Sequence, residues 1–594
     1  MYSDSTQKLV WNTLRVAAFM LFLAAPVHAQ SPTWQWGLQT TNPAPSDGSG
    51  TVGNAVATDA AGRVYVGGTL GETSPPLPTR DFGSTGTVGP GQQGFVAQAN
   101  ATGQWIWVTA VIPTGPASNG RTRATVTGVA VTAAGDVYVA GTVEGSVLRV
   151  GSQTQMLRNT GEALFVARLS SAGVCQWLRV VESTSVRLTL ATDPSTGGVA
   201  VAGTYRSSLS FGSTVLPFNP STTNYALFAA RLDPTGQWVG ATAASGSAGV
   251  QPGIGMAVGP AGQIAVVGTT QTVGTFAFGP ATIAVMAGTN TNPLVAQLGP
   301  ANQWQWAVGG GGSGSVFGAA YTPTGALWVC GRGLNGTVVG PITLLAPTSA
   351  GPAASTAGYV GQLSATGQWN MVQQASPSAS GLVTFGSLSV DGMGDALLVG
   401  GLRGYSGPTQ TALGNQTLTS PATNLLNFIT GLTAAGQWRY VSSVPYPVQN
   451  DGLSIRSIAL DGSRNLYFTG GLFGALTLGS SSLTGSYDPA ATNPNSGDVV
   501  LGKLINATAL AGRPAAAAPA LACYPNPARA AATLRLPTPT PEPRTATLAD
   551  ALGRTARTYP LPAHATTATL DLMGLAPGLY VVRCGAATGR LVVE

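Results

Sequence analysis

The stretch VATDAAGRVYVGGT, residues 56–69, decides the fold because the chain repeats it. VAVTAAGDVYVAGT follows at 129–142, LATDPSTGGVAVAGT at 190–204, MAVGPAGQIAVVGT at 256–269, AAYTPTGALWVCGR at 319–332, LSVDGMGDALLVGG at 388–401 and IALDGSRNLYFTGG at 458–471, seven copies in all. Their centres, Tyr65, Tyr138, Ala200, Ala265, Trp328, Leu398 and Tyr467, lie 62 to 73 residues apart. A period of this size marks a supersecondary unit stacked on copies of itself. Each copy is an alternating strand, a glycine-bearing turn and a second alternating strand ending in glycine, which is how a β-hairpin is written.

Beyond each hairpin stands a short FG-like element: Phe82-Gly83, Val150-Gly151, Phe211-Gly212, Phe278-Gly279, Val339-Gly340, Leu413-Gly414 and Leu478-Gly479. A third strand follows, from GFVAQAN at 94–100 to VVLGKLI at 499–505, and a fourth carries a Gln-Trp pair at Trp105, Trp177, Trp238, Trp304, Trp369 and Trp438. That fourth strand occurs only six times, because VVLGKLI runs on into NATALAGRPAAAAPALA. The missing copy stands near the start, in SPTWQWGLQT at 31–40 with Trp34 and Trp36. Four strands repeated seven times predict an all-β fold, a seven-bladed β-propeller over residues 30–505, closed by the N-terminal strand. Mixing the two chain ends in one blade leaves no unpaired edge at the seam. A large residue at one strand position in every repeat is expected to fill the contact between neighbouring blades.

The repeats resemble the bacterial propeller repeats called SBBP or NHL-like, whose pattern of an Asp-bearing turn, a YV strand and a FVA strand is matched best by Asp59 to Val66 and Phe95-Val96-Ala97. The resemblance implies a fold and no activity, since propellers host many functions. Composition agrees with it. The 594 residues are 44% hydrophobic and 8% charged, with 81 glycines and 41 prolines, which suits short strands and tight turns; no stretch sustains a helical period.

The formal charge of +6 suggests no nucleic-acid partner: +3 of it lies after residue 522, and the repeats are almost neutral. Residues 1–29 read as a signal peptide, with Lys8 and Arg15, the apolar run VAAFMLFLAA at 16–25, and small residues before a cut between Ala29 and Gln30. No run reaches the about 20 apolar residues of a membrane span, so an exported chain is expected, and a monomer. Cys175 and Cys330 fall in strands and read as buried thiols, whereas Cys523 and Cys584 share one unit and either pair or stay free.

After an Ala/Pro-rich linker at 506–522, residues 523–594 read as a small C-terminal β-sandwich. This unit resembles the type A C-terminal sorting domain of type IX secretion in Bacteroidota. The matching residues are Tyr524, Pro525, Asn526 and Pro527, then Asp550, Gly553 and Arg554, then Gly578 and Tyr580, and Arg590 in the closing strand where members commonly have Lys. The resemblance implies passage through the periplasm and translocation by the type IX machinery. It also implies removal of the domain by a C-terminal signal peptidase, with release or attachment at the cell surface.

Chemistry is constrained by what the repeats lack. The two histidines are His28 and His564, so residues 30–505 hold none, which excludes a Ser-His-Asp or Cys-His arrangement and a histidine zinc site there. GPGQQG at 89–94 leads into a strand and GGGGSGS at 309–315 has no following Lys, so neither is a phosphate loop. Carboxylates remain: Asp59, Asp136, Asp193, Asp391, Asp395 and Asp461, placed mostly where Asp bonds its own backbone in a turn. Asp391 and Asp395 are the residues to which weak Ca²⁺ binding would fall, without the spacing of a dedicated calcium loop. No catalytic, cofactor or metal residue is assigned. The expected function is a binding or scaffold module for a polysaccharide or protein; the alternative is a carboxylate-based extracellular polysaccharide hydrolase or lyase. Two or more acids at one mouth of the central channel would favour the enzyme, and a neutral mouth the binder.

Overall fold

A computed structural model describes residues 32–41, 51–71, 80–89, 91–117, 120, 122–158, 161–183, 185–218, 225–246, 248–251, 254–270, 273–285, 291–347, 354–421, 425–444, 452–485, 497–505, 521–536, 540–550, 554–584 and 587–594. The signal-peptide reading with its Ala29–Gln30 cut, most of the linker and Gly553 lie outside them. Among the described residues there is no α-helix, only strands and one short 3-10 turn at Gly83–Thr85. The chain divides into two compact units, residues 1–510 and 511–594.

Among the described residues the first unit contains seven antiparallel four-strand meanders, the fifth and sixth joined into one sheet by a parallel bridge between Thr356 and Leu382. The first sheet runs Val52–Thr58, Val64–Leu70, Gln93–Ala99, Trp105–Thr114, and the second Arg123–Val131, Val137–Glu144, Glu162–Leu169, Cys175–Glu182. The third is Val186–Thr192, Val199–Tyr205, Ala226–Leu232, Trp238–Ala243, and the fourth Gly255–Val258, Ile264–Thr270, Asn292–Leu298, Trp304–Gly309. The fifth is Gly314–Tyr321, Leu327–Leu334, Thr356–Leu363, Trp369–Ala375, and the sixth Gly381–Val390, Ala396–Gly404, Leu426–Leu432, Trp438–Ser443. The seventh takes Gly452–Leu460, Leu466–Phe473 and Asp498–Ile505 from the end of the unit and Thr33–Gln39 from its start. That last pairing is antiparallel, from Thr33 opposite Ile505 to Gln39 opposite Val500. First strands of consecutive sheets touch one another, and the first strand of sheet seven touches that of sheet one, so the series closes on itself.

Each repeat holds more than four strands. The FG-like element is the turn of an extra hairpin between the second and third strands, such as Leu209–Phe211 with Thr214–Leu216 or Ala475–Leu478 with Ser481–Thr484. The turn glycine is left-handed in every copy, at φ 63, 56, 62, 58, 55, 62 and 59° for Gly83, Gly151, Gly212, Gly279, Gly340, Gly414 and Gly479, a conformation that costs glycine little. The apolar residue before it is buried in each case, including Phe82, Phe211 and Phe278.

The Gln-Trp series also needs a correction in register. In five sheets the residue opposite the end of the third strand is a tryptophan, Trp105, Trp238, Trp304, Trp369 and Trp438, and in the seventh Trp34 opposes Leu504, one residue before the end, but in the second sheet it is Cys175, not Trp177. Trp177 stands two residues on, equivalent to Trp107, Trp306 and Trp36. The residue between the two positions is a β-bulge, so Trp105 opposes Ala99 while Trp107 opposes the adjacent Gln98. Neighbouring partners put the two side chains on opposite faces, although their spacing of two suggests one face.

The first tryptophan packs its ring on the apolar residue of the FG-like element in its own repeat. Phe82 lies 5.2 Å from Trp105, Phe211 4.7 Å from Trp238 and Phe278 4.9 Å from Trp304, ring centre to ring centre. The second reaches the next sheet: the indole N–H of Trp36 donates to the carbonyl of Ala101 (3.1 Å), Trp107 to Ser171 (3.0 Å), Trp177 to Pro234 (3.0 Å) and Trp306 to Ala365 (2.9 Å). The first also reaches the preceding sheet, the indole N–H of Trp105 donating to the Gln39 carbonyl (3.4 Å) and that of Trp304 to the Ala243 carbonyl (3.3 Å), so both positions bridge sheets as expected of the series.

The second unit has two sheets, Ala522–Tyr524, Ala531–Arg535, Thr567–Asp571 and Thr555–Leu561, Arg544–Ala549, Gly578–Cys584, Ala587–Val593. Leu534, Leu548, Leu570, Val582 and Leu591 from both sheets share one core.

Candidate functional site

The turn carboxylates are consumed by structure. Asp59 accepts from the backbone N–H of Ala61 and Arg63, both at 3.0 Å, and from the Tyr65 hydroxyl at 3.1 Å. Asp461 repeats the pattern with Ser463, Asn465 and Tyr467. Asp193 holds the turn at Ser195 and receives Arg231 at 3.0 Å; Asp136 pairs with Arg168 at 2.6 Å. Asp391 takes the N–H of Met393 and Asp395, while Asp395 takes Ala434 N–H and Arg439. Among the described residues no cluster of three His, Cys, Asp or Glu could hold a metal ion.

Polar residues near the end of the third strands reinforce the tryptophan bridges. The Pro234 carbonyl accepts from both Trp177 and Arg168, that of Ala365 from Trp306 and Gln297, and that of Ala101 from Trp36 and Lys503. Lys503, the one lysine in residues 30–594, thus belongs to the junction of sheets seven and one. It lies over the Tyr467 ring, and burial lowers its pKa. Cys175 and Cys330 are buried free thiols whose pKa burial raises to about 11 and about 12, which leaves them unreactive.

The opening at the middle of the ring is different. A cavity of about 310 Å³ is walled by the first strand of every sheet, including Asn54, Thr127, Thr189, Met256, Phe317, Gly386 and Arg456. No acidic side chain lines it, and Arg456 is its one charged residue. Asn54, Thr127, Phe317, Gly386 and Arg456 are all bulge residues, the ladder skipping each between Gly53 and Ala55, Val126 and Gly128, Val316 and Gly318, Phe385 and Ser387, and Ile455 and Ser457. An extra residue at mid-strand turns its side chain out of the packed faces. Sequence reasoning missed these positions, but the signal was present: Leu453, Ile455, Ile458 and Leu460 are spaced two, three, two, and the phase slip brackets Arg456. A second cavity, about 540 Å³, lies between sheets three and four, its lining including five alanines with Tyr205, Phe218, Tyr225 and Phe276.

In the C-terminal unit the motif residues divide. Asn526 clamps the closing strand, its amide donating to the Arg590 carbonyl (2.8 Å) and its oxygen accepting from Val592 N–H (2.8 Å). Asp550 and Arg554 form an ion pair at 2.8 Å, and the buried Tyr580 donates to the Ala576 carbonyl at 2.8 Å. Tyr524, Pro525, Pro527, Gly578 and Arg590 stay exposed. Cys523 and Cys584 are free.

The chain is thus an all-β protein whose repeats precede a separate β-rich C-terminal unit. Residues 522–594 match the family of secretion system C-terminal sorting domains. That domain marks proteins exported by the type IX secretion system to the cell surface or extracellular space, and this is where the protein goes. No curated protein matches the chain. Among solved structures it is similar to a protein of unknown function from Bacteroides caccae (11% identity, 59% of this chain and 89% of the other, TM-score 0.28). It is also similar to a protein of unknown function from Dyadobacter fermentans (10%, 78% and 97%, TM-score 0.34) and to the polysaccharide lyase Uly1 (9%, 80% and 99%, TM-score 0.31). Likenesses of that size decide neither topology nor function. Among the described residues no helix is long and apolar enough to cross a membrane.

Proposed function

We propose that residues 30–505 form a seven-bladed β-propeller of the SBBP or NHL-like kind, exported behind a signal peptide and serving outside the cell as a binding or scaffold module for a glycan or protein. The observation that carries the reading is the wall of the central cavity. It is neutral and polar apart from Arg456, while the six turn aspartates already accept from backbone N–H groups, arginines or both. A hydrolase or lyase of the carboxylate type needs paired acids facing one cleft, and this lining supplies none. The test uses the protein collected from the culture: retention on a glycan array, followed by reducing-end and unsaturated-product assays on the retained glycans. Binding without product is expected. Product that accumulates with time overturns the binding role.

A further inference from the structure

The central cavity is not uniform around its circumference. Its bulge positions carry Asn54 in sheet one, Thr127 in sheet two, Phe317 in sheet five, Gly386 in sheet six and Arg456 in sheet seven. The polar side chains of sheets one and two are spent on neighbouring strands. The Asn54 amide donates to the Val126 carbonyl at 2.9 Å, and the Thr127 hydroxyl to that of Leu188 at 2.8 Å. Sheets five, six and seven are consecutive, and their first strands touch. Here the wall offers an exposed aromatic ring, then a gap, then an exposed guanidinium.

The gap is real space. A Cβ built on Gly386 meets no atom within 4 Å, although most glycines of the ring are crowded. On one side stands Phe317, 37% exposed, with the Arg332 guanidinium 5.7 Å from its ring centre. On the other stands Arg456, exposed and lining the cavity. Arg456, with no acid in the lining, makes the recess locally positive. A guanidinium binds a carboxylate or sulfate through paired N–H donors, while an aromatic face covers the C–H face of a sugar ring as it covers other apolar surface. A volume of about 310 Å³ falls at the small end of the roughly 300–1,000 Å³ seen for small-ligand clefts.

We infer that the recess over Gly386, between Phe317 and Arg456, is a subsite for one acidic sugar residue of an extracellular polysaccharide. The acidic group sits on Arg456 and the ring stacks on Phe317. The inference rests on the binding role proposed above and names its ligand class.

Calorimetry on the full secreted chain tests it, with oligogalacturonate, a sulfated galactan oligomer and a neutral galactan oligomer of equal length as probes. An acidic oligomer should bind and the neutral one should not, and which acidic oligomer binds separates carboxylate from sulfate. Arg456→Gln should weaken binding at least about tenfold, the equivalent of ~1.4 kcal/mol, and Phe317→Ala should weaken it too. Gly386→Leu should abolish binding with an unchanged melting temperature, because the side chain enters empty space. Acidic oligomers that bind all three variants as they bind the parent would overturn the subsite and leave the binding role standing. Equal affinity for neutral and acidic oligomers would overturn the ligand class. If no oligomer binds and the glycan array is also blank, the binding role falls with the subsite.

Discussion

Gly103 shows what a single residue does for the ring. It takes φ 82° in the turn between the third and fourth strands of sheet one, and a Cβ there would lie 2.8 Å from the ring of Trp36. Gly173 meets Trp107 and Gly236 meets Trp177 in the same way, at 2.7 and 2.8 Å. Each bridging indole thus lies flat on a glycine turn of the next sheet. Gly103→Ala should cost about 1–2 kcal/mol for the left-handed backbone alone, plus the displacement of Trp36, read as a lower urea midpoint. An unchanged midpoint would show that the indole does not rest there. Trp36→Ala should cost more, about 3–5 kcal/mol as for other large buried aromatics.

Tyrosines extend the residue-scale picture to pH. Burial raises the pKa of Tyr65 and Tyr467 above the ordinary value of 10.0, aided by repulsion from Asp59 and Asp461, and burial raises those of Tyr321, Tyr359 and Tyr440. A raised pKa means that the folded chain holds the phenol proton longer than the unfolded chain does. The stability from these groups is therefore complete below pH 10.0 and lost as pH rises beyond it. Titration followed by ultraviolet absorbance should show the exposed tyrosines ionising first and the buried ones only together with unfolding. A single smooth titration near the ordinary value would contradict this packing.

At the scale of the element, the strand Thr33–Gln39 completes sheet seven from about 460 residues away. It covers the third strand, packs Trp34 5.5 Å from Phe468, and carries the Trp36 bridge to sheet one. Deleting residues 31–40 removes a ladder, a hydrophobic layer and an inter-sheet bridge at one place, and should lower the melting temperature of the whole first unit cooperatively. Supplying the strand as a synthetic peptide should restore part of the loss. A melting temperature unaffected by the deletion would mean that the ring holds without its seam.

For the whole molecule, the division between residues 510 and 511 separates two tasks. A chain ending at Leu510 keeps all seven sheets and loses the sorting domain matched at 522–594. It should keep its far-ultraviolet circular dichroism and thermal transition and remain inside the cell envelope. Appearance of the shortened chain in the medium at the parental level would remove the role of the C-terminal unit in export. Asn526→Ala offers a finer probe, since it deletes the two bonds to the closing strand; export should fall through loss of that strand's position.

Much of this was legible in the residues alone, for a stated reason. A strand with one face buried must alternate, a tight turn must carry glycine, and a unit that cannot bury its faces alone must recur. The seven repeats, the displaced strand at Trp34 and Trp36, and the sorting unit beginning at Tyr524 all follow from such local rules. The faces of the tryptophans and the site did not follow. A bulge costs one residue in a ladder whose partner lies elsewhere in the chain, so alternation counted along the sequence puts Trp105 and Trp107 on one face when pairing puts them on two. The same device turns Phe317, Gly386 and Arg456 out of their strands into one cavity. Only the closing of seven sheets around a common centre brings together residues about 70 positions apart, and that proximity belongs to the tertiary structure.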